Sequence, residues 1–263
     1  MSAPALTFDP FVFAAFCLSA SLALGGPVIA ALWVRRKTKG PWEALGWGVL
    51  TFTVSQLVLR LPWQIPLGLW LKDDLARSPA LLLAWLAFSA STAALFEETA
   101  RYVVFRRFYR REHSFRAGLM FGIGHCGIES IVLVGLTIAS SAAIYFLLGH
   151  GVPLPFTDEV RATVVKQYAG VTPLHATMGG VERLCSMVVH VTATMLVLRS
   201  VTTGQKRWYC YALGYHALGN LAAVEFTRHF GVFQAESFLV AWAAAGWAFL
   251  ASERRRLDSK QLN

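Results

Sequence analysis

Glu97, Glu98 and Arg101 interrupt an apolar run, LFEETARYVV, and three histidines, His125, His190 and His216, interrupt three more. Carboxylates and imidazoles take protons from water, hold metal ions and stabilise oxyanions. Together they can activate water against a carbonyl. The reaction class is therefore hydrolysis, most naturally of a peptide bond. Histidine and carboxylate ligands suit zinc. There is no HExxH motif, and a Glu/His mechanism without metal stays equally open.

Such residues are costly inside a membrane. Each charge near a helix midpoint costs about 2.5–3.5 kcal/mol on insertion scales. Glu97 and Arg101 can offset part of this as an i, i+4 pair with the acid N-terminal. Glu98 points about 100° further round the helix and shares the arginine or needs a partner elsewhere. Glu97 lies nine residues from Arg106, His125 nine from Arg116, His190 nine from Arg199, and His216 nine from Arg207. At about 1.5 Å per residue, all four sit roughly 13 Å inside the same rim. A second tier follows one turn deeper, with Glu129 in HCGIE and Asn220 in HALGN. Glu182 and Arg183 open the segment VERLCSMVVH, with Arg183 on the face of His190. The competing reading is structural: an ion pair that fixes packing, and histidines that hydrogen-bond between helices.

Long apolar helices must position these groups. The 263 residues are 56% hydrophobic and 15% charged, against about a quarter charged in soluble domains. Seven spans emerge: Phe11 to Val34, Trp42 to Leu59, Ala80 to Phe105, Ala117 to Leu148, Thr177 to Leu198, Trp208 to Phe226 and Val232 to Ala251. The expectation is an all-α polytopic membrane bundle, one domain over residues 1–263, with a catalytic core at 79–226. In the long fourth span, Gly122, Gly124 and Gly127 are candidate bending points. Basic residues cluster after spans one, three, five and seven, which places the N-terminus out and the C-terminus in. That clustering explains the net charge of +9 without nucleic acid. Two outer loops remain. PWQIPLGLWLKDDLARSP is too short for a span, and TDEVRATVVKQYA reads as a surface helix capped by Thr157 or Asp158. The four cysteines read as small buried hydrophobes.

The motifs FEETARY, FGIGHCGIES, ERLCSMVVH and YHALGN, in this order, resemble the YhfC family of intramembrane metalloproteases. That family is similar to the CAAX-prenyl-protease and bacteriocin-immunity superfamily, and distantly to the seven-span anterior-pharynx-defective subunit of gamma-secretase. The resemblance covers spans three to six. It implies that one of Glu97 and Glu98 is the water-activating base and that His125 assists it. It also implies that His190 matches the histidine of the ER…H segment. His216 and Asn220 would form an oxyanion hole or metal site. Arg101, Glu129, Glu182 and Arg183 would support substrate or structure, and His125, His190 and His216 would be the metal ligands. The spacing EExxR departs from EExxxR of CAAX proteases and weakens the case for prenylated substrates. The implied substrate is a membrane protein or lipid-modified peptide in a bacterial cytoplasmic membrane. Because the superfamily also contains scaffolds, a non-catalytic assembly subunit is the alternative. A single histidine layer would admit at most one haem. No paired broken segments point to a transporter.

Overall fold

A computed structural model describes residues 6–260. Every regular element among the described residues is helical: α1 Pro10–Thr38, α2 Trp42–Trp70, α3 Lys72–Arg77, α4 Pro79–Phe108, α5 Phe115–Gly149, α6 Asp158–Ala169, α7 Pro173–Thr203, α8 Arg207–Phe230 and α9 Val232–Lys260. Six of them, α1, α2, α4, α5, α7 and α9, are long and apolar enough to cross a bilayer. Large apolar side chains such as Phe11, Ile29, Trp70 and Trp247 face outward. Outward apolar surface of this kind suits lipid rather than water. The chain is a multi-pass integral membrane protein.

Two expectations change. The sixth expected span lies within α8, whose 24 residues are long enough for a bilayer. It carries His216, Asn220, Glu225 and Arg228, and it is not among the six helices that are apolar enough. The segment after Leu59, read as an outer loop, is helical. α2 continues through it to Trp70, and α3 follows. Pro62 lies just past a π-helical stretch, Thr53–Arg60, and Pro66 lies further along the same helix. Arg60 is buried rather than looped out. Local signals also hold: Ser78 caps α4 by accepting from the Leu81 N–H at 3.2 Å, with Pro79 at the first helical position. At the end of α8, Gly231 adopts φ 95, a left-handed conformation that favours glycine.

The described chain forms two compact units, and α1, α5 and α7 each contribute to both. The first unit comprises residues 6–26 and Ser130–Leu184. Its core gathers Leu6, Val12, Tyr145, Leu148 and Val165, edged by Phe8, Phe16 and Tyr168. The Asp9 N–H donates to the Tyr145 hydroxyl at 3.0 Å. Thr157 caps α6 as expected, its hydroxyl accepting from the Val160 N–H at 3.3 Å.

The second unit comprises Pro27–Glu129 and residues 185–260. Its core includes Phe105, Tyr109, Met120, Phe121, Val191, Met195 and Leu198. α2 and α5 approach almost backbone to backbone. A β-carbon at Gly48 would strike the Phe121 carbonyl and lie 2.8 Å from the His125 backbone nitrogen, and one at Gly124 would strike the Leu45 carbonyl. Gly122, Gly124 and Gly127 therefore serve close approach or lie in regular helix. α5 departs from α-helical geometry later, in a π-helical stretch at Ser130–Gly135. α2 and α4 carry similar stretches at Thr53–Arg60 and Val104–Phe108. Cys126 is buried, whereas Cys17 on α1 and Cys210 on α8 are exposed, so the common reading of the four cysteines fails for those two.

Candidate active site

The polar residues of α4, α5, α7 and α8 converge within the second unit. Glu97 is the hub. Its Oε2 accepts from His125 Nε2 at 2.8 Å and from Arg101 Nη2 at 3.2 Å. Glu98, adjacent and fully buried, turns to α8: its Oε1 accepts from His216 Nδ1 at 2.7 Å and from Arg101 Nη1. Arg101 thus bridges both carboxylates, as its i, i+4 and i, i+3 spacing allows.

Arg101 also reaches α7, where its Nη2 donates to His190 Nδ1 at 2.9 Å. A guanidinium can only donate, so that ring nitrogen is the acceptor and carries no proton. The opposite nitrogen, Nε2, lies 2.9 Å from Glu129 Oε2. The three imidazoles are neighbours, with ring centroids 5.7 Å apart for His125 and His190 and 5.0 Å for His190 and His216. Phe52 of α2 presents its ring at 84° to His125, with centroids 5.3 Å apart.

The buried atoms of this cluster with no hydrogen-bond partner include Glu98 Oε2, Arg101 Nε and His125 Nδ1. Leaving such groups unsatisfied costs about 1–3 kcal/mol each. They are the places where a water, a substrate atom or an ion would be gained most favourably.

One expected site residue stands apart: Asn220 is exposed, although it lies one turn from buried His216. In the first unit, Glu182 and Arg183 pair with each other. The expected three-histidine metal set is also altered. Among the described residues, the groups with ligand atoms within 4.8 Å of one another are Glu97/His125/His190, Glu97/Glu98/His216 and Cys126/Glu129/His190. Carboxylates organise the donors, with one or two imidazoles in each group.

The sequence reading missed two residues of α2. Gln56 Nε2 donates to Glu97 Oε1 at 2.8 Å, and Arg60 Nη1 donates to Gln56 Oε1 at 2.9 Å. The signal was present. Gln56 and Arg60 form an i, i+4 polar pair at the end of an apolar run, the same pattern that marked Glu97 and Arg101.

Comparison with known proteins agrees with the motifs. The sequence model for the family described as YhfC intramembrane metalloprotease matches residues 22–240. A Bacillus subtilis (strain 168) protein named "Uncharacterized membrane protein YhfC" is 28% identical over 217 residues, covering 80% of this chain and 83% of that one. No solved structure matches.

Proposed function

The chain belongs to the YhfC intramembrane metalloprotease family, and from that premise we propose that it hydrolyses a peptide bond of a membrane protein or lipid-modified peptide. The supporting observation is the gathering of Glu97, Glu98, His125, His190 and His216 from four helices around one arginine. In this reading α8 crosses the membrane as a seventh span, because its buried His216 faces Glu98. The same reading has the N-terminus outside and the C-terminus in the cytoplasm of a bacterial cell, supported by the basic clusters.

The donor set fits a zinc ion by type: carboxylate oxygens and imidazole nitrogens, with His125 Nδ1 buried and unpartnered. Glu97, His125 and His190 would hold it. Bound there, zinc would supply a Lewis acid and lower the pKa of a bound water. The chain's own residues do the rest. Glu97 would help hold the ion and is engaged at both oxygens, so it orients His125 and Arg101 and is not the base. Glu98 is the base, because its Oε2 alone in the carboxylate pair is open. That oxygen accepts a proton as water attacks the scissile carbonyl carbon. It then returns the proton to the departing amine nitrogen as the C–N bond breaks. His216 holds the other Glu98 oxygen and keeps the open one aimed. Arg101 provides fixed positive charge for the oxyanion.

One observation favours the scaffold reading. Glu98, Arg101 and His125 have 0% exposure, as expected of a sealed structural cluster. Reconstitution separates the two. Purified protein in proteoliposomes is tested against quenched transmembrane and lipid-modified peptides. Wild type should cleave, and Glu98→Gln and His125→Ala should each abolish cleavage while remaining folded. Full cleavage by both variants would remove the enzymatic assignment.

A further inference from the structure

We infer that Gln56 and Arg60 are positioning residues of the site, a strut from α2 that holds the Glu97 carboxylate in one orientation. The inference rests on the proposed catalytic reading and extends it to a helix that no motif marks. Both residues are buried, Gln56 at 3% exposure and Arg60 at 6%. Gln56 gives one N–H to Glu97 Oε1 at 2.8 Å and another to the Ala93 carbonyl at 3.3 Å. Its own carbonyl oxygen accepts from Arg60 Nη1 at 2.9 Å. Arg60 is anchored in turn, donating to the Ser89 carbonyl at 2.7 Å and to Thr92 Oγ1 at 3.2 Å.

The direction of this chain matters. An amide can face a neighbour with either its oxygen or its NH2 group. A guanidinium only donates, so Arg60 selects the oxygen end of Gln56 and leaves the NH2 end for the carboxylate. A flipped amide would put oxygen against oxygen at Glu97. Arg60 therefore acts on Glu97 through Gln56 without touching it. The backbone contributes as well. Leu61 N–H bonds the Gln56 carbonyl, the five-residue spacing of a π-helical turn. With Oε1 held from α2, Oε2 is left for His125 and Arg101. A carboxylate that also serves as a metal ligand commonly depends on such an outer hydrogen bond, and losing one typically costs 10–100-fold in metal affinity or activity.

The test uses full-length protein purified in detergent. Zn2+ is titrated calorimetrically, and cleavage is followed with a fluorogenic peptide containing a transmembrane segment of about 20 residues. Gln56→Met keeps the volume and removes both amide groups. It should weaken Zn2+ binding about 10–100-fold. It should also lower kcat while leaving KM within about twofold, the pattern expected when transition-state stabilisation rather than uniform binding is lost. Arg60→Met should act in the same direction but less. The double variant should be no worse than Gln56→Met alone, because Arg60 works through Gln56. Val58→Ala, on the exposed face of α2, should match wild type. Wild-type Zn2+ affinity and kcat in Gln56→Met would overturn the inference, as would additive losses that merely follow falling thermal stability. If Glu98→Gln is inactive while Gln56→Met is unaffected, only the strut fails. If Glu98→Gln is fully active, or wild type neither binds Zn2+ nor cleaves, the catalytic reading fails and the strut with it.

Discussion

The second unit contains two buried carboxylate–arginine clusters, and they are built differently. At the ends of α7 and α9, Glu253 lies between Arg199 and Arg256. Arg256 Nε is 2.9 Å from Oε2 and 3.2 Å from Oε1, and Arg199 takes Oε1 as well. The Arg199 guanidinium also stacks on Trp208, 3.6 Å from the ring centroid. One acid faces two cations, both its oxygens are engaged, and no histidine takes part. Around Glu97 and Glu98 the proportion is reversed. Two acids share one directly bonded arginine, imidazoles and the Gln56 amide take further positions, and Glu98 Oε2 and His125 Nδ1 are left open. The first arrangement can only clamp two helices. The second has vacant donor and acceptor capacity, which catalysis requires. Burial, ion pairing and an unpartnered guanidinium Nε, of Arg199 in one and of Arg101 in the other, are common to both clusters; the open carboxylate oxygen and imidazole nitrogen separate the site from the clamp.

Substitutions at matched positions can break that contrast. The largest effect is expected for Glu98→Gln, a loss of about 10²–10⁴-fold in peptide cleavage, the typical contribution of a general base. Its melting temperature should fall as well, because Glu98 is fully buried and bonded to Arg101 and His216, so cleavage is scored per folded molecule. Glu253→Gln should lower stability alone. Losing hydrogen bonds to a charged group costs about 1.5–3 kcal/mol, here discounted because both arginines are partly exposed. Differential scanning fluorimetry in detergent should show a lower melting temperature with cleavage per folded molecule unchanged. An inactive but stable Glu253→Gln would erase the distinction between the clusters. Gly124→Ala should fall between, because the added methyl meets the Leu45 carbonyl and forces α2 from α5 at about 1–3 kcal/mol. Since α2 carries Gln56 and α5 carries His125, this variant should lose both stability and activity. The smallest effect is expected from Thr157→Ala in the first unit. Removing the α6 cap should cost about 0.5–2 kcal/mol of local helix stability. Hydrogen exchange should detect it across α6 without a change in cleavage.

Much of this was legible in the residues themselves. Insertion cost marks Glu97, Glu98, Arg101 and the three histidines as anomalies in any apolar helix, wherever that helix lies. Their equal distance from the basic clusters predicts a common level. The Thr157 cap and the α6 helix follow from local pattern. Other features were not legible. Asn220 shares the i, i+4 spacing that should align it with His216, yet α8 leaves it exposed, because helical spacing gives a face only to within a broad sector. Arg60 sat at the end of an apolar run before a proline, where a loop was the economical reading. Its burial depends on the Ser89 carbonyl and Thr92 of α4, which no local pattern reveals.

The sequence by itself determined the helices, their membrane setting and which side chains would be too costly to leave in lipid. Those follow from hydropathy, 3.6-residue periodicity and desolvation, all local to a segment. Only the tertiary structure decided which oxygen of which glutamate is engaged. Gln56 reaches Glu97 across 41 residues and His216 reaches Glu98 across 118. A hydrogen bond requires a donor within about 3.2 Å in the right direction. Positions along a chain do not carry that information until the helices have packed.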